Sequence, residues 1–413
     1  VGNTELKSIV LWQSGGADAT SAVVRNALTD VVLDRDVLAD GFTAEDQIAH
    51  AIDLSALGLV QWKANELFVT ATSFSSPYTT APSIQRAADA ASAGFTVHVD
   101  AGTYPESVTT AVPLTLQGAG ATTIIEPTSG NALTLAAGTD ASNRTIVKDL
   151  KVTGGERGIT AGGFTTLENV ESSGNSGAGL WLNAGEDLVL TNCQFDGNNL
   201  GVKIPSTVSF DDIVITGSSF DDNTQHGWYS DANSGTEPSL DNVSISGTSF
   251  SGNGTKGLYT ERLSNATLTN LTVSGNGGNG GGVIGQGIDL NLKWADYANI
   301  SVTNSAFSNN GLGQTMGAAL AIKARDDGSS YGANPATLAN VTLTGNTFSG
   351  DERAIMLGEP DKSNAGPTNV TISNNSFPDA VQFAVVNHST RRSPLESSIH
   401  SWYQVAVATG SQR

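Results

Sequence analysis

The stretch "GVKIPSTVSFDDIVITGSSFDDNTQHG", from Gly201 to Gly227, decides the fold because the chain repeats its pattern at once. The next stretch, "GWYSDANSGTEPSLDNVSISGTSFSGNGTKG" from Gly227 to Gly257, has the same opening, middle and close. The two copies differ in length but keep the order of their motifs. Such self-similarity indicates a repeat architecture, in which each unit packs mainly on its neighbours.

A first template, a small residue followed by apolar–x–apolar, recurs along the chain. Alternate side chains of a strand point to opposite faces, so the first apolar residue of each copy is predicted to face a common core. These predicted core residues are Ile159, Leu180, Val202, Trp228, Leu258, Ile288, Leu320, Ile355 and Val385.

A second template reads apolar–Ser/Thr–Asn/Gly–x–x–Phe. Its third position holds the two residue types that best tolerate a left-handed backbone, so we predict a corner there. The corner residues are Asn192, Gly217, Gly247, Asn270, Asn304, Gly345 and Asn374. The last position is predicted to stack in the core, at Phe195, Phe220, Phe250, Val273, Phe307, Phe348 and Phe377.

The repeat length varies, with 22 residues from Gly179 to Gly201, 26 from Gly201 to Gly227 and 30 from Gly227 to Gly257. A coil of short strands tolerates longer turns, whereas paired helices would hold their length. An antiparallel propeller or sandwich would show hairpin signals between strands of opposite sense, and the templates instead recur in fixed order. We therefore predict an all-β protein, a right-handed parallel β-helix solenoid.

The segment "TTAPSIQRAADAASAGFTVHVDAGTYPESV", from Thr79 to Val108, resembles the opening of pectate-lyase-like right-handed parallel β-helix proteins. In those proteins a short helix caps the first end of the barrel. Here Ser83 is predicted to cap a helix from Ile84 to Ser92 that ends at Gly94. "DQIAHAIDLSALGLVQWKANELFVT" is similar to segments of large bacterial surface and autotransporter-like proteins.

Three regions are predicted from this pattern: a small N-terminal α/β annex at 1–78, the β-helix at 79–390 and a strand-like tail at 391–413. The annex is predicted to contain helices in "DATSAVVRNALTD" and "TAEDQIAHAIDL" and strands in "LKSIVLWQ" and "LVQWKANELFVT". The tail is predicted either to fold back as a cap on its own coil or to assemble head-to-tail with another copy, because a β-helix ends in an open edge that invites pairing. Its candidate assembly residues are Trp402, Val405 and Val407.

The net charge indicates which classes of partner the protein is unsuited to bind. The chain has 20 basic and 40 acidic residues, a net charge of −20, which disfavours nucleic acid and anionic membranes. No apolar run reaches the ~18 residues of a membrane span. The single cysteine, Cys193, excludes an intrachain disulfide. We expect a secreted or cell-surface protein whose partners are polysaccharides or copies of itself.

Outward positions of the first template carry aromatic and charged residues in consecutive coils. Coils ~5 Å apart would form a ladder suited to stacking on sugar rings, although such ladders also occur for cross-strand packing alone. The predicted ligand-binding residues are Trp181, Lys203, Tyr229, Tyr259, Asp289 and Asn291.

Two kinds of catalysis are compatible with this face. A lyase acting on an acidic polysaccharide needs a cation for the uronate carboxylate and a base for the C5 proton. A hydrolase needs two carboxylates ~5–9.5 Å apart, for which Asp231, Glu261 and Asp289 are candidates. If the protein is an enzyme, the predicted catalytic residues are Lys323, Arg325, Lys293, Asp289 and Glu261.

A structural role competes with catalysis, since Lys293 and Arg325 can pair with nearby Asp296, Asp326 or Asp327 on a solvated face. No residue lies in a recognised catalytic motif and no Cys/His pattern indicates a metal site. We predict no cofactor, with calcium at the Asp-rich turns "FDDN" and "ARDDG" as the alternative.

Two functions remain open. The preferred prediction is a non-catalytic extracellular scaffold, adhesin segment or filament subunit that binds polysaccharide. The alternative is a polysaccharide lyase or glycosidase acting on an acidic glycan.

Overall fold

A computed structural model describes residues 23–24, 34, 36–53, 58–71, 84–234, 239–362, 364–379 and 383–389. The chain has two compact units, Val1–Ser172 and Ser173–Arg413. The predicted strand "LKSIVLWQ", the Ser83 cap and the tail with Trp402, Val405 and Val407 lie outside the described residues. Within the described part, no helix is long and apolar enough to cross a bilayer.

The first unit contains two helices and short strands. In chain order these elements are β1 Val23–Val24, α1 Leu38–Gln47, β2 Ile48–Ala49, β3 Glu66–Val69, α2 Ile84–Ala90, β4 Thr96–Val99, β5 Gly102–Tyr104, β6 Val108–Thr109, β7 Thr115–Gln117, β8 Thr123–Ile125, β9 Leu133–Thr134, β10 Thr145–Val152, β11 Ile159–Ala161 and β12 Thr165–Ser172.

The N-terminal elements differ from three predictions. The strand β1 lies within "DATSAVVRNALTD", where a helix was expected. The helix expected in "TAEDQIAHAIDL" instead begins at Leu38 and ends at Gln47, because β-branched Ile48 adopts an extended backbone and pairs with Val24. The strand expected in "LVQWKANELFVT" begins only at Glu66, because Asn65 takes a left-handed φ of 62° in the preceding turn.

The parallel sheet of the first unit runs in the order β3, β4, β7, β10 and β12. Since β3 pairs in parallel with β4, this sheet begins before the predicted boundary at residue 79. The predicted capping helix is present as α2, where Glu106 accepts hydrogen bonds from the backbone N–H groups of Ile84 and Gln85 at 2.6 and 3.1 Å. A carboxylate at a helix N-terminus satisfies otherwise unpaired donors.

The second unit is almost entirely strand. Its elements are β13 Ala178–Leu182, β14 Gly185–Thr191, β15 Leu200–Ile204, β16 Phe210–Thr216, β17 His226–Ser230, β18 Leu240–Ser246, β19 Ser249–Ser251, β20 Lys256–Thr260, β21 Ser264–Thr269, β22 Thr272–Ser274, β23 Gln286–Leu292, β24 Asp296–Thr303, β25 Ala306–Ser308, β26 Ala318–Ala324, α3 Gly328–Gly332, β27 Thr337–Thr344, β28 Thr347–Ser349, β29 Arg353–Leu357, β30 Thr368–Ser373, β31 Ser376–Asp379 and β32 Phe383–Asn387.

These strands form three parallel sheets, and the chain visits them in turn. One sheet runs from β14 through β16, β18, β21, β24 and β27 to β30, and a second, short sheet contains β19, β22, β25, β28 and β31. The third, which we call the site sheet, runs β13, β15, β17, β20, β23, β26, β29 and β32. This succession of parallel strands is the predicted β-helix.

The predicted core columns are confirmed, except that Phe377 at the end of the Phe column is only half-buried. In the site sheet Val202, Trp228, Leu258 and Ile288 stand in register and are each at most 2% exposed. Phe220 stacks between Phe195 and Phe250 at ring-centroid distances of 5.4 and 5.0 Å. Like residues therefore stack on like inside the coil.

The corner prediction is also confirmed. The seven predicted corner residues all have left-handed φ angles, from 50° at Asn304 to 71° at Gly345. A second corner carries a buried asparagine ladder, in which each side-chain oxygen accepts the backbone N–H of the Asn one coil earlier. Asn223 accepts from Asn198 at 2.9 Å, and the ladder passes through Asn310 to Asp351.

The site sheet differs from its neighbours in burial. In β16, buried and more exposed residues alternate, as in a sheet with one solvated face. In β20, β23 and β26 every residue is buried, on both faces. The outward side chains of these three strands are therefore packed among other protein groups, unlike those of β16.

Phe250→Ala should lower the free energy of unfolding by about 3–5 kcal/mol, because it opens a cavity in the stacked Phe column. Chemical denaturation of both proteins measures the difference. Thr267→Ala, on the exposed face of β21, is the control and should change stability by less than about 0.5 kcal/mol. Equal stability of the Phe250 variant and the unmodified protein would contradict the stacked core.

Asp351→Asn should stabilise the protein at neutral pH. Burial raises the pKa of Asp351 to about 6, although hydrogen bonds from Asn310 oppose the rise. Because the unfolded carboxyl ionises near pH 3.8, the native state loses stability as pH rises from about 4 to about 6. The variant should lack this loss and gain up to about 3 kcal/mol at pH 7.

Urea denaturation at pH 4, 5 and 7 tests this expectation. Exposed Asp361→Asn is the matched control and should follow the pH profile of the unmodified protein. A profile of the Asp351 variant that parallels the unmodified protein would show that Asp351 is not forced towards its neutral form.

Candidate functional site

The outward side of the site sheet gathers the charged and aromatic residues of this unit. The register places Lys203 level with Tyr229, Tyr229 with Tyr259, and Tyr259 with Asp289. This is the order expected from the sequence. Trp181 lies one coil earlier, level with Lys203, and is partly exposed.

The ladder is not an open surface. Tyr259 is 8% exposed and Asp289 is fully buried. The next outward residues, Ala321 and Met356, pack with Ala318 in a buried apolar cluster. In this row the aromatic and charged residues therefore extend from Trp181 in β13 to Asp289 in β23.

Asp289 lies at the centre of this face, between two lysines from neighbouring coils. Lys256 Nζ lies 2.6 Å from Oδ2 of Asp289, and Lys323 Nζ lies 2.9 Å from Oδ1. Burial alone would raise the pKa of Asp289, but the two ammonium groups lower it to about 2. With both lysines protonated the trio carries two positive charges against one negative charge, and burial lowers the pKa of Lys256.

A second polar group adjoins the trio. The Tyr259 hydroxyl donates to Glu261 and accepts from Asn291 Nδ2 at 2.9 Å. Lys293 pairs with the same Glu261 carboxylate. Burial, followed by the Glu261 charge, raises the pKa of Tyr259 far above its usual range, so this phenol stays protonated.

Three aromatic rings stack beside these charges. His226 lies 5.0 Å from Tyr229 and 5.6 Å from Tyr259 between ring centroids, and the two tyrosines are 5.5 Å apart. Lys256 Nζ lies 3.8 Å from the centroid of Tyr259, and Lys203 Nζ lies 3.7 Å from that of Tyr229. Such contacts between an ammonium and a ring face are attractive.

Two of these groups have pKa values shifted by burial. Burial, with a smaller effect of Lys256, lowers the pKa of His226 to about 3, so the imidazole is neutral at neutral pH. Burial, with the nearby Asp231 charge, raises the pKa of Tyr229 to about 12. The stack therefore holds a neutral imidazole next to a protonated phenol.

The far end of the face is made by residues after β23 and β26. Arg325 pairs with Asp327 at 2.7 Å, one of the partners expected from the sequence, and with Glu359 at 3.1 Å. Its guanidinium lies 4.5 Å from the ring centroid of Tyr331 in α3. Tyr331 packs at 5.5 Å on Trp294, which has a left-handed φ of 62°.

His226 and Lys256 were not predicted from the sequence. Both precede the glycine that opens the first template, and the structure puts them level with each other on the outward face. A Cβ on Gly227 would lie 2.6 Å from the carbonyl oxygens of Gly257 and Phe220, so only glycine fits this bend. A polar residue recurs before the template glycine, as His, Lys and Gln before Gly227, Gly257 and Gly287. This recurrence could have identified His226 and Lys256 as part of the outward face.

The Asp-rich turns proposed for calcium are engaged by protein groups. Asp221 accepts hydrogen bonds from Ser249 Oγ at 2.9 Å and Ser251 N–H at 2.6 Å. In the other turn, Asp327 pairs with Arg325. Calcium binding stays a prediction.

Among the described residues, one group of three potential metal ligands comes together, at Glu45, His50 and Asp53. The Val60 N–H donates to His50 Nδ1 at 3.1 Å, so the ring proton is on Nε2, which donates to Glu45 at 2.8 Å. A metal ligand must present a free lone pair, and this arrangement leaves none on His50. The group is a hydrogen-bonded cluster.

Sequence and structure comparisons agree on the fold. The family profile described as "Right handed beta helix region" matches residues 136–293. No curated protein has a sequence that matches this chain. The chain is a right-handed parallel β-helix protein.

Three solved structures are similar to this chain to different degrees. The A-module of a mannuronan C-5 epimerase of Azotobacter vinelandii matches with a TM-score of 0.52 and 18% identity, over 76% of this chain and 93% of the epimerase module. An alginate lyase of Paenibacillus sp. strain FPU-7 matches with a TM-score of 0.45 and 18% identity, over 79% of this chain and 99% of the lyase. PfbA, a surface adhesin of Streptococcus pneumoniae, matches with a TM-score of 0.40 and 12% identity, over 77% and 91%.

Asp289→Asn should destabilise the protein by about 3–5 kcal/mol, because two buried ammonium groups lose the charge that both of them share. Asp231→Asn is the control. Its carboxylate is partly exposed and pairs with one lysine, Lys203, rather than two, so its loss should cost less than the loss of Asp289. Denaturation at pH 7 measures both variants, and equal effects would contradict the central position of Asp289.

Proposed function

We propose that this face is the active site of an enzyme that acts on a uronate-containing polysaccharide by removing the proton at C5. The observation that carries the proposal is the neutral His226 imidazole, stacked on Tyr229 and Tyr259 and adjacent to the Lys256–Asp289–Lys323 trio. The other groups supply the charge and the proton that such a reaction needs.

His226 is the proposed base. Its Nδ1 lies 2.8 Å from Thr255 Oγ1, and no described residue hydrogen-bonds its Nε2. A side chain that removes a proton must be unprotonated at the working pH and able to reach the substrate. The low pKa of His226 meets the first condition, although it also weakens the imidazole as a base, and the unbonded nitrogen leaves an atom for the second.

The lysine trio is the proposed binding site for the uronate carboxylate. A C5 proton becomes acidic when the negative charge that develops on the adjacent carboxylate is stabilised. Lys256 and Lys323 share one Asp289 carboxylate, so the trio has an excess positive charge. Lys256 also lies over Tyr259, on which His226 stacks, which brings cation and base to the same part of the face.

Tyr229 is the proposed proton donor. Its pKa of about 12 keeps the hydroxyl protonated at neutral pH. No described residue hydrogen-bonds this hydroxyl, whereas that of Tyr259 is held by Glu261 and Asn291. A donor of this kind can protonate the leaving glycosidic oxygen in an elimination, or the sugar carbon in an epimerisation.

The carboxylates do not favour glycoside hydrolysis. A hydrolase needs one carboxylic acid with a raised pKa to protonate the leaving oxygen. Asp289 has a lowered pKa, and Asp231 and Glu261 are each paired with a lysine. The three candidates named from the sequence are thus better suited to holding the cations in place.

A mannuronan C-5 epimerase has the same fold. Epimerisation and β-elimination share C5 proton removal and differ in the fate of the resulting carbanion, so the products distinguish them. A polysaccharide substrate also agrees with the predicted secretion or cell-surface location. The scaffold or filament function predicted from the sequence remains the alternative, in which the face binds glycan without turnover.

The test uses the full chain with polymannuronate, polyguluronate and polygalacturonate in D₂O. Elimination gives unsaturated ends that absorb in the near ultraviolet, and epimerisation gives deuterium at C5 with inverted configuration, visible by NMR. At least one polymer should react. His226→Gln should lower the rate by about 100-fold or more, and Tyr229→Phe should also lower it.

Thr267→Ala, on another sheet, is the activity control and should keep the full rate. Circular dichroism checks that each variant is folded. Absence of product and of deuterium exchange with all three polymers would overturn the enzyme proposal. Glycan binding measured in the same samples would then support the scaffold alternative.

A further inference from the structure

Thr255 makes an arrangement with His226 that the proposed reaction depends on. Thr255 Oγ1 lies 2.8 Å from the backbone oxygen of Gln225 and 2.8 Å from His226 Nδ1. A hydroxyl group has one hydrogen to donate, and a carbonyl oxygen can only accept. The hydrogen therefore lies between Thr255 and Gln225, and a lone pair of Oγ1 faces His226.

The ring proton of His226 is consequently on Nδ1. A neutral imidazole has one N–H, and the hydrogen bond made by one nitrogen determines the state of the other. With Nδ1–H donating to Thr255, Nε2 presents a lone pair. The opposite tautomer would place two acceptors, Nδ1 and Oγ1, against each other at 2.8 Å without a hydrogen between them.

The surroundings of the ring hold this orientation. His226 stacks on Tyr229 and Tyr259 with interplanar angles of 23° and 18°, which opposes rotation of the ring. The charged groups that act on the imidazole are Lys256, Asp289 and Lys203. None of them hydrogen-bonds the imidazole, so Thr255 is the one described side chain that distinguishes its two nitrogens.

We infer that Thr255 is a positioning residue that holds His226 as the Nδ1–H tautomer and so leaves Nε2 unprotonated. The inference rests on the proposed function only in the use made of Nε2, the nitrogen that takes the C5 proton. In the other tautomer, Nε2–H would donate a hydrogen bond to the sugar and could not accept its proton. Thr255 thereby decides whether His226 serves as a base.

The first test is the tautomer itself, measured in the protein without glycan. Long-range proton–nitrogen NMR on the protein labelled with ¹⁵N-histidine distinguishes a protonated from an unprotonated ring nitrogen, and His226→Gln identifies the signal. His226 should have a protonated Nδ1 and an unprotonated Nε2 near pH 7. A protonated Nε2 would overturn the inference.

The second test uses Thr255→Val, which keeps the shape but removes the hydroxyl, and Thr255→Ser, which keeps the hydroxyl. The valine variant should show an increased share of the Nε2–H tautomer, and the serine variant should match the unmodified protein. Loss of one hydrogen bond should change the tautomer ratio about five- to tenfold. An unchanged ratio in a folded valine variant would overturn the assignment to Thr255.

Turnover provides a separate readout. With a reacting polymer, Thr255→Val should lower kcat in proportion to the lost fraction of the Nδ1–H tautomer, and by no more than the roughly five- to tenfold change in the tautomer ratio. KM should stay within about twofold because Thr255 does not contact the carboxylate site, and Thr255→Ser should restore kcat. If no polymer reacts while NMR shows the Nδ1–H tautomer, the proposed function fails and the role of Thr255 stands. If turnover occurs but NMR shows the other tautomer, the reverse holds.

Discussion

The backbone hydrogen bonds between parallel strands of successive coils are the constraint that governs this molecule. They place each residue about 4.8 Å from its equivalent one coil away. Each side chain must therefore pack well against the equivalent side chains of the coils before and after it. Inside the coil, Phe220 tolerates Phe195 and Phe250 because stacked rings attract. At the corners, Asn and Gly recur because the backbone is left-handed there.

The same constraint explains how polar groups enter the interior. An asparagine can donate to one neighbour and accept from the other, so a column of them satisfies its own hydrogen bonds without water. Asn198, Asn223 and Asn253 form such a ladder with distances of 2.9–3.1 Å. Asp351 ends it with a carboxylate that accepts from Asn310; burial disfavours the charged form and raises its pKa, while the hydrogen bonds from Asn310 oppose the rise.

Charged side chains are harder to place at equivalent positions of successive coils, since like charges one coil apart repel. On the outward face of the site sheet the sequence therefore changes from coil to coil, and Asp289 lies between Lys256 and Lys323 from the coils before and after it. Removing these charged groups from water costs free energy, so a buried ion network is weak evidence for stability. It does hold charges in place before a substrate arrives, which is what electrostatic catalysis requires.

The sequence was sufficient to predict the repeat, the core columns and the corners. It also predicted the order of the residues along the outward face, which is Lys203, Tyr229, Tyr259 and Asp289. These features depend on a strand's two-residue period and on backbone preferences, which are local. Only the folded chain shows that the outward side chains of this sheet are buried, that two lysines share Asp289, and that His226 contacts Thr255. Those contacts join residues 29–34 positions apart through turns of variable length, so no fixed spacing in the sequence announces them.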